Sequence, residues 1–346
     1  MEASVPKSIE VELPPSGERR LPFISVVFSF WNEEENIPEL LRRTRAAFQQ
    51  SIDRNLCRGY ELIFVNDSST DRSEILLREE FAKKGDIRIL NMSRNFGVSP
   101  CVLAGMHYAS GDAVIYLDAD LQDPPELIPD LLQMWQSEPD VDVVHTTRTK
   151  REGESRIKLL ITRIGYAILK KTSSINLPTE TGDYKLVSKR AVQHLIAFKE
   201  KNPYMRGLVC WIGFKQKTVF YQREPRFSGE TKFHIFGPRV IGNFLNSAVI
   251  SFSDVPLKLS ILFGGVSSIA AMLYMMWVII ERLRDHTVPG FAATNIIILM
   301  LGGLLLLSNG ITGLYIASIF LESKGRPNFI VRDTFGFNPD AKNDAI

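Results

Sequence analysis

From residue 22 to about residue 150, short apolar runs alternate with segments whose apolar residues recur at helical spacing. Each run is continuous, as expected of strands buried on both faces, and the segments between them are long enough for amphipathic helices. This alternation predicts an α/β fold, with a mostly parallel sheet and helices on both faces. The predicted strands are residues 23–30, 60–67, 87–93, 112–118 and 142–148.

Two much longer apolar segments follow toward the C-terminal end. Residues 259–280 and 291–321 contain no charged residue, and a helix of about 20 residues spans the hydrocarbon layer of a bilayer. We therefore predict a transmembrane hairpin over residues 257–322, with helices at about 257–281 and 291–321. The alternative is a pair of helices buried in a soluble core.

Basic residues beside these segments predict the orientation of the hairpin. The connecting loop holds Arg282 and Arg284, whereas the outer flanks hold Lys258, Lys324, Arg326 and Arg332. The positive-inside rule places the flanks with more cations in the cytoplasm. We therefore expect the N-terminal domain and both termini to be cytoplasmic.

A basic segment before the hairpin is a further candidate for membrane contact. Residues 148–171 hold eight basic and two acidic residues, and their isoleucine and leucine residues recur at three- and four-residue steps. Such a helix either lies on the membrane surface or packs on the catalytic sheet, and the sequence leaves both open. A second interfacial segment is predicted at residues 236–256, directly before the first span.

Composition suggests the remaining boundaries. Residues 1–21 are rich in proline and lack an apolar core, which predicts a disordered lead and no signal peptide. The catalytic domain is then expected over residues 22–235, and a cytoplasmic tail over 323–346. Three widely separated cysteines indicate neither a disulfide framework nor a metal-thiolate site, and a net charge of +2 gives no sign of a nucleic-acid partner.

Polar side chains gather where the predicted strands end. Glu33 follows the first strand, Asp67 the second, Arg94 the third, and Asp118 and Asp120 the fourth. Each of them could simply cap a helix or a turn, but the carboxyl ends of parallel strands form one ligand-binding edge. Because neither a GxGxxG after the first strand nor a GxxxxGK[ST] is present, phosphates must be held without those glycine loops.

The stretch YLDADLQDPPE, residues 116–126, crowds three carboxylates together. Asp118, Asp120 and Asp123 would raise one another's pKa unless a cation lay between them. Mg²⁺ and Mn²⁺ prefer oxygen ligands and commonly join carboxylates to substrate phosphates. The pattern therefore predicts Mg²⁺ or Mn²⁺ on Asp118 and Asp120, in a segment that the following double proline keeps out of the next helix.

Several motifs, in order along the chain, then resemble one family. They are FWNEEENI, FVNDSSTDRS, MSRNFG, DADLQDPPE, TGDYKLVSKRA, MRGLVCWIGF and RFSGETKF. With two membrane spans after them, they resemble the polyisoprenyl-phosphate glycosyltransferases of glycosyltransferase family 2, which have a GT-A fold, and in particular bactoprenol-phosphate glucosyltransferases. The resemblance covers roughly residues 22–335. One departure is FSFWNE, where such enzymes usually have Pro-x-Tyr-Asn-Glu, so Ser29 and Trp31 leave the nucleotide open.

The resemblance implies inverting transfer of a single sugar from UDP-glucose to undecaprenyl phosphate, at the cytoplasmic face of a bacterial plasma membrane. The product would be polyprenyl-phosphate-glucose. Alternatives are a mannose synthase that uses GDP-mannose, or transfer of another sugar such as aminoarabinose. A homo-oligomer, with a tetramer favoured, would fit both the relatives and the small residues at four-residue spacing in the spans.

The resemblance also assigns roles to residues. Glu33 and Asp67 would contact the nucleoside, and Arg94 would hold the nucleotide. Asp118 would lie near the ribose and the metal, and Asp120 and Gln122 would ligate the metal. The implied metal site is therefore Asp118, Asp120 and Gln122.

Asp183 in TGDYKL occupies the position often assigned as the base of an inverting enzyme. The second pKa of a phosphate monoester is about 6, so the acceptor needs little proton removal at neutral pH. We therefore expect Asp183 to orient the sugar, the metal or a cation. The resemblance places the acceptor phosphate near three cations: Arg206, Arg226 and Lys232.

Two other classes of protein compete with this interpretation. A processive polysaccharide synthase shares the sheet and the acidic motif, but its Q-x-x-R-W motif is absent here and two spans are too few to enclose a polymer channel. A catalytically silent, membrane-tethered nucleotide-sugar sensor is the non-enzyme alternative. A transfer assay distinguishes it from an enzyme.

Overall fold

The computed structural model describes residues 20–148, 181–222, 255–284 and 290–337. Within these ranges it contains an eight-stranded sheet with the order β7-β5-β6-β4-β1-β2-β3-β8. The strands are β1 Phe23–Phe30, β2 Gly59–Asn66, β3 Ile87–Met92, β4 Ala113–Asp118, β5 Val141–Arg148, β6 Thr181–Ser188, β7 Lys215–Tyr221 and β8 Val331–Phe335. The first five follow the predicted apolar runs closely.

Strand directions determine which residues meet at the edge of the sheet. Strand β1 is parallel to β2 and β4, β2 is parallel to β3, and β5 is parallel to β7. The predicted mostly parallel sheet is therefore confirmed. Strand β6 is antiparallel to β4, with Tyr116 opposite Lys185. Continuing that register by two residues brings Asp183 opposite Asp118, at the carboxyl ends of the parallel strands.

Helices cover both faces of the sheet and divide its core in two. The described helices are α1 Ile37–Asp53, α2 Ser73–Lys84, α3 Val98–Tyr108, α4 Ile128–Gln136, α5 Lys189–Ala197, α6 Met205–Trp211, α7 Val255–Leu283 and α8 Phe291–Ser323. Buried side chains of α1, α2 and α4 pack on one face, and those of α3, α5 and α6 on the other. Because both faces are covered, the central strands are almost entirely apolar.

Helix α3 approaches the sheet closely at a glycine. A Cβ atom at Gly105 would lie 2.3 Å from Val27 Cγ1, so a larger residue would push α3 away from β1. The helix begins after Gly97, whose φ of +93° suits glycine. These two glycines fix the first turn of α3 above the carboxyl edge of the sheet.

Helices α7 and α8 do not contribute to this core. They contain two candidate membrane spans, Ser260–Glu281 and Ile296–Ser323, and their most apolar windows are 0% buried. Leu305 and Leu306, for example, are each 71% exposed. A soluble core would bury such helices, so this exposed apolar surface indicates association with a membrane.

After α8 the chain returns to the sheet. Strand β8 pairs antiparallel with β3, and the ring of Phe335 packs edge-on against Phe81 at 5.0 Å. The sequence predicts a tail over residues 323–346, and the structure adds a strand within it. No apolar run marks this strand, because β8 is five residues long and its sequence, VRDTF, is apolar only at its two ends.

The predicted basic helix at residues 148–171 lies outside the described residues except for Arg148. Most of the interfacial segment predicted at residues 236–256 lies outside them as well. Both stay predictions.

Candidate active site

Three loops at the carboxyl edge contain a non-glycine residue with positive φ. They are Asn32 after β1 at +55°, Ser68 after β2 at +63°, and Leu121 after β4 at +58°. Such backbone conformations cost about 1–3 kcal/mol each and cluster at functional sites. Three of them at one edge of the sheet therefore identify that edge as the candidate site.

The loop after β4 carries the acidic residues of the DADLQD motif. Leu121 is fully buried, which anchors the turn, and the backbone N–H of Gln122 donates to Asp120 Oδ1 at 3.1 Å. Ser29 Oγ donates to Asp118 Oδ1 at 3.1 Å. Burial, followed by the charges of neighbouring carboxylates, raises the pKa of Asp118 to about 7. This accumulation of negative charge favours a bound cation.

The donor set fits a divalent cation that substrate oxygens help to hold. Asp118 and Asp120 supply carboxylates, and no three Asp, Glu, His or Cys side chains among the described residues form a potential metal cage. Mg²⁺ commonly takes one or two carboxylates and fills its other positions with water and substrate phosphates. The side chain of Gln122 makes no hydrogen bond within the described part of the chain, so its role as a ligand stays a prediction.

Asp123, the third carboxylate of the motif, has different surroundings. It is 2% exposed, it accepts a hydrogen bond from the Tyr221 hydroxyl, and the Arg148 guanidinium lies 3.7 Å away. Arg148 Nε also donates to the Tyr221 hydroxyl at 3.2 Å. These contacts join the end of the acidic loop to β5 and β7, so Asp123 stabilises the loop.

Asp183 forms a two-point ion pair with Arg206 at the start of α6. Arg206 Nε donates to Oδ1 at 2.6 Å, and its Nη2 donates to Oδ2. Burial by itself would raise the pKa of Asp183, but the charge and hydrogen bonds of Arg206 outweigh burial and lower it to about 2. The structure therefore brings two predicted site residues together, in a pair whose carboxylate holds its negative charge.

Three cavities meet at the first turn of α3. The edge cavity, about 240 Å³, is lined by residues that include Ser29, Trp31, Glu33, Asp67, Asp118 and Asp120. The central cavity, about 260 Å³, is lined by residues that include Ser99, Tyr116, Asp118, Asp183, Tyr204 and Arg206. The basic cavity, about 490 Å³, is lined by residues that include Arg94, Lys201, Leu321, Lys324 and Arg326. Val98 lines all three cavities, so they adjoin one another.

Glu33 and Asp67, both predicted to contact the nucleoside, line the edge cavity together. Glu33 accepts a hydrogen bond from the Asn36 side chain at 2.5 Å. The two oxygens of Asp67 accept the backbone N–H groups of Phe96 at 2.7 Å and Gly97 at 2.9 Å. Asp67 thus holds the start of α3 in place, a role that its sequence position alone does not reveal.

Arg94 lines a different cavity from Glu33 and Asp67, and its predicted contact with the nucleotide stays a prediction. Its guanidinium stacks 4.0 Å from the centre of the Phe96 ring and donates to the Asn95 carbonyl oxygen at 3.0 Å. It lines the basic cavity and not the edge cavity that contains Glu33 and Asp67. The other two predicted phosphate-binding residues, Arg226 and Lys232, lie outside the described residues.

Two further residues line these cavities although the sequence did not single them out for this purpose, and a third, Lys185, is buried in β6 two residues from Asp183. Trp31 lines the edge cavity and is 40% exposed, so it offers an aromatic face to a ligand. Tyr116 lines the central cavity, and its buried hydroxyl has no hydrogen-bond partner among the described residues. Lys185 is fully buried, and burial lowers its pKa to about 8. Tyr116 and Lys185 lie within strands, where a core position is the usual interpretation.

A nucleotide-sugar glycosyltransferase with a GT-A type of sheet is the class of enzyme that this fold and acidic loop define. The model of the family described as "Glycosyl transferase family 2" matches residues 25–196. The chain is 38% identical to the uncharacterized glycosyltransferase YkcC of Bacillus subtilis over 90% of this chain and 94% of the relative. It is 33% identical to the SfII prophage-derived bactoprenol glucosyl transferase of Shigella flexneri, over 91% and 99%. The chain belongs to glycosyl transferase family 2.

A solved structure is also similar. The mannosyltransferase PcManGT from Pyrobaculum calidifontis, in complex with GDP-Man and Mn²⁺, is 15% identical to this chain. The alignment covers 88% of this chain and 76% of that one, with a TM-score of 0.43.

Proposed function

We propose that this enzyme transfers one glucose from UDP-glucose to undecaprenyl phosphate at the cytoplasmic face of a bacterial plasma membrane. The observation that carries this proposal is the short connection between the candidate span and the sheet. Helix α8 ends at Ser323, and Val331 already pairs with β3. Since α8 ends beside the basic cavity, an acceptor in the membrane can meet a donor bound at the sheet edge. The Shigella relative, named a bactoprenol glucosyl transferase, supports the choice of sugar and acceptor.

The edge cavity is the proposed site of the nucleotide. Trp31 offers a face for the base, and Glu33 and Asp67, which line the same cavity, would contact the nucleoside. Asp118 and Asp120, with Gln122 from the same loop, would hold Mg²⁺ or Mn²⁺. The metal would supply positive charge for the diphosphate leaving group.

The central cavity is the proposed site of the sugar. Its lining includes Asp118 and the Asp183–Arg206 pair, and the Tyr116 hydroxyl is available there for a sugar hydroxyl. An acceptor phosphate oxygen forms a bond to the anomeric carbon while the bond from that carbon to the nucleoside diphosphate breaks. One displacement of this kind inverts the configuration.

Asp183 is proposed to position Arg206 and the sugar, with no proton transfer of its own. A carboxylate with a pKa of about 2 is a weak base at neutral pH. The acceptor phosphate has a second pKa of about 6 and is already largely ionised. Arg206, held by two hydrogen bonds, can then direct its positive charge toward the reacting phosphates.

A transfer assay tests the proposed function. The purified full chain would be mixed with undecaprenyl phosphate, Mg²⁺ or Mn²⁺, and labelled UDP-glucose, and label would be measured in the lipid extract. Lipid-linked glucose is expected. Label transferred only from GDP-mannose or another nucleotide sugar would contradict the assignment of glucose, and no transfer from any donor would favour the nucleotide-sugar sensor.

The proposed topology has its own test. Cysteine labels introduced at His286, between the spans, and at Asn343 should report opposite sides of the membrane, because the hairpin carries both flanks to one side. Labels on the same side would contradict the hairpin. A homo-oligomer, with a tetramer favoured, is also proposed and would be measured by the mass of the detergent-solubilised protein.

A further inference from the structure

The basic cavity is the largest of the three, and positive residues dominate its polar lining. It has a volume of about 490 Å³, and its lining includes Arg94, Lys201, Lys324 and Arg326 but no Asp or Glu. These four residues come from distant parts of the chain, so only the folded protein brings them together. The cavity lies between the start of α3 and the segment that follows α8.

None of these four cations forms an ion pair with a carboxylate within the described part of the chain. Arg94 stacks on Phe96, the ammonium of Lys201 donates to the Arg326 carbonyl oxygen, and the ammonium of Lys324 lies 4.1 Å from the centre of the Phe320 ring. These contacts restrain the side chains without neutralising them. Glu322 accepts the backbone N–H of Lys201 at 2.7 Å but does not line the cavity. Uncompensated cations around one cavity favour an anionic ligand.

The start of α3 adds to this preference. Val98, Ser99 and Pro100 line the basic cavity and form the first turn of a helix of 11 residues. The first turn of a helix carries partial positive charge, which favours a phosphate. The cavity therefore combines four side-chain cations with a helix N-terminus.

The position of the cavity indicates how its ligand arrives. Leu321 and Lys324, at the end of α8, form part of its wall, so the cavity lies where the candidate membrane span enters the catalytic domain. Val98 and Ser99 are shared with the central cavity, where the sugar is proposed to bind. A phosphate carried on a membrane lipid would reach the sugar from this side.

We infer that the basic cavity binds the phosphate headgroup of the polyprenyl phosphate acceptor and delivers it to the central cavity. This inference rests on the proposed function for the identity of the lipid. It assigns Lys201, Lys324 and Arg326 to acceptor binding and moves Arg94 from the nucleotide to the acceptor. Arg206 lines the central cavity, where the transferred sugar is proposed to bind.

A binding experiment on the purified full chain tests this assignment. Native mass spectrometry would measure the affinity for undecaprenyl phosphate, phosphatidylglycerol and inorganic phosphate in the wild type and in Lys324→Gln/Arg326→Gln. The variant should bind undecaprenyl phosphate about tenfold to a hundredfold more weakly, since two charged hydrogen-bond donors are lost. The control variant is Arg284→Gln. Arg284 directly follows α7, pairs with Glu281 at 3.7 Å and lines none of the three cavities, so this variant should bind like the wild type.

Each result of the binding experiment decides the assignment. Loss of undecaprenyl phosphate binding with unchanged binding of phosphatidylglycerol supports it. Equal loss of both lipids would overturn it in favour of a general phospholipid site, and loss of inorganic phosphate alone would overturn it in favour of a free-phosphate site. Unchanged binding of all three would overturn it altogether. Because binding is measured without a donor sugar, these results stand even if the transfer assay fails.

Kinetics add a readout that a purely structural defect would not produce. In the double variant, the KM for undecaprenyl phosphate should rise about tenfold or more, while kcat and the KM for the nucleotide sugar change less than about twofold. Arg326→Lys, which keeps the charge, should restore most of the affinity. A fall in kcat with an unchanged acceptor KM would contradict the inference.

Discussion

On the β4 side of the central cavity, Asp118 lies among other carboxylates, whereas on the β6 side Asp183 lies against the guanidinium of Arg206. Burial acts on both residues, yet the pKa of Asp118 is raised to about 7 and that of Asp183 is lowered to about 2. The difference is the source of the counter-charge. The β6 side contains its own cation, and the β4 side must obtain one from solution. We therefore propose that the β4 side binds the metal together with the substrate, and that the β6 side positions the substrate.

The largest expected effect comes from the β4 side. Asp120→Ala should lower the transfer rate about a thousandfold or more, because the variant would bind the metal poorly and the negative charge on the leaving diphosphate would no longer be neutralised. The rate would be measured in the lipid-extraction assay with Mg²⁺ or Mn²⁺ present. Asp130→Ala, at an exposed position of α4, is the matched control and should retain full activity. Near-normal activity of Asp120→Ala would contradict a metal at this loop.

Removal of the internal cation should have the next largest effect. Arg206→Gln leaves the carboxylates of Asp183 and Asp118 in one cavity without the guanidinium, and transfer should fall about a hundredfold through lost positioning. Arg190→Gln breaks a similar two-point pair with Asp142 that lines none of the three cavities. If both arginine variants lost activity equally, general destabilisation would explain the result, and thermal unfolding curves would show it.

A smaller effect is expected at Asp183 itself. Asp183→Asn keeps the shape of the side chain, and transfer should fall by less than about tenfold, whereas loss of a general base typically costs about 10²–10⁴-fold. At a saturating concentration of Mg²⁺, which displaces the proton from Asp118, the wild-type rate should be flat above about pH 7 and fall below about pH 6, as the acceptor phosphate takes up a proton. The pKa of Asp183, about 2, lies too low to produce that fall. A loss of a thousandfold in Asp183→Asn would show that Asp183 accepts a proton.

The smallest expected effect tests whether the sugar binds in the central cavity. Tyr116→Phe should raise the KM for UDP-glucose roughly threefold to tenfold if its unpartnered hydroxyl bonds to the sugar. Tyr184→Phe removes an equally buried hydroxyl that also lacks a partner among the described residues but lines none of the three cavities. It should change no kinetic constant. An unchanged KM in Tyr116→Phe would place the sugar elsewhere.

The sequence predicted the elements whose signal is local. Strands β1 to β5 are continuous apolar runs. The acidic loop directly follows β4, so the predicted end of that one strand is enough to place the loop at the edge of the sheet. The apolar helices also followed from composition, with α7 at Val255–Leu283 and α8 at Phe291–Ser323 against predicted helices at 257–281 and 291–321. Such features need no knowledge of distant contacts.

The features that the sequence did not predict depend on distant contacts. Strands β6 and β7 mix polar and charged residues with apolar ones, so neither is a continuous apolar run. Their polar side chains have partners on other elements, such as Gln216 of β7, which contacts His145 of β5 at 2.7 Å. Arg94 follows β3 as predicted, but the direction of an exposed loop side chain cannot be read from its position. The basic cavity combines residues near positions 94, 201 and 324, and no local pattern links them.

Strand β8 also determines when the protein can finish folding. Asn91 and Asp333 are joined by a 2.6 Å hydrogen bond across 242 positions of sequence, and both apolar helices lie between them. During synthesis the N-terminal sheet must therefore wait, with the β3 edge uncovered, until the second helix has left the ribosome. An uncovered edge strand is a site for aggregation. Biogenesis of this enzyme thus couples completion of its sheet to synthesis of both apolar helices, and a chain ending at Arg326 should aggregate even where its remaining sequence is intact.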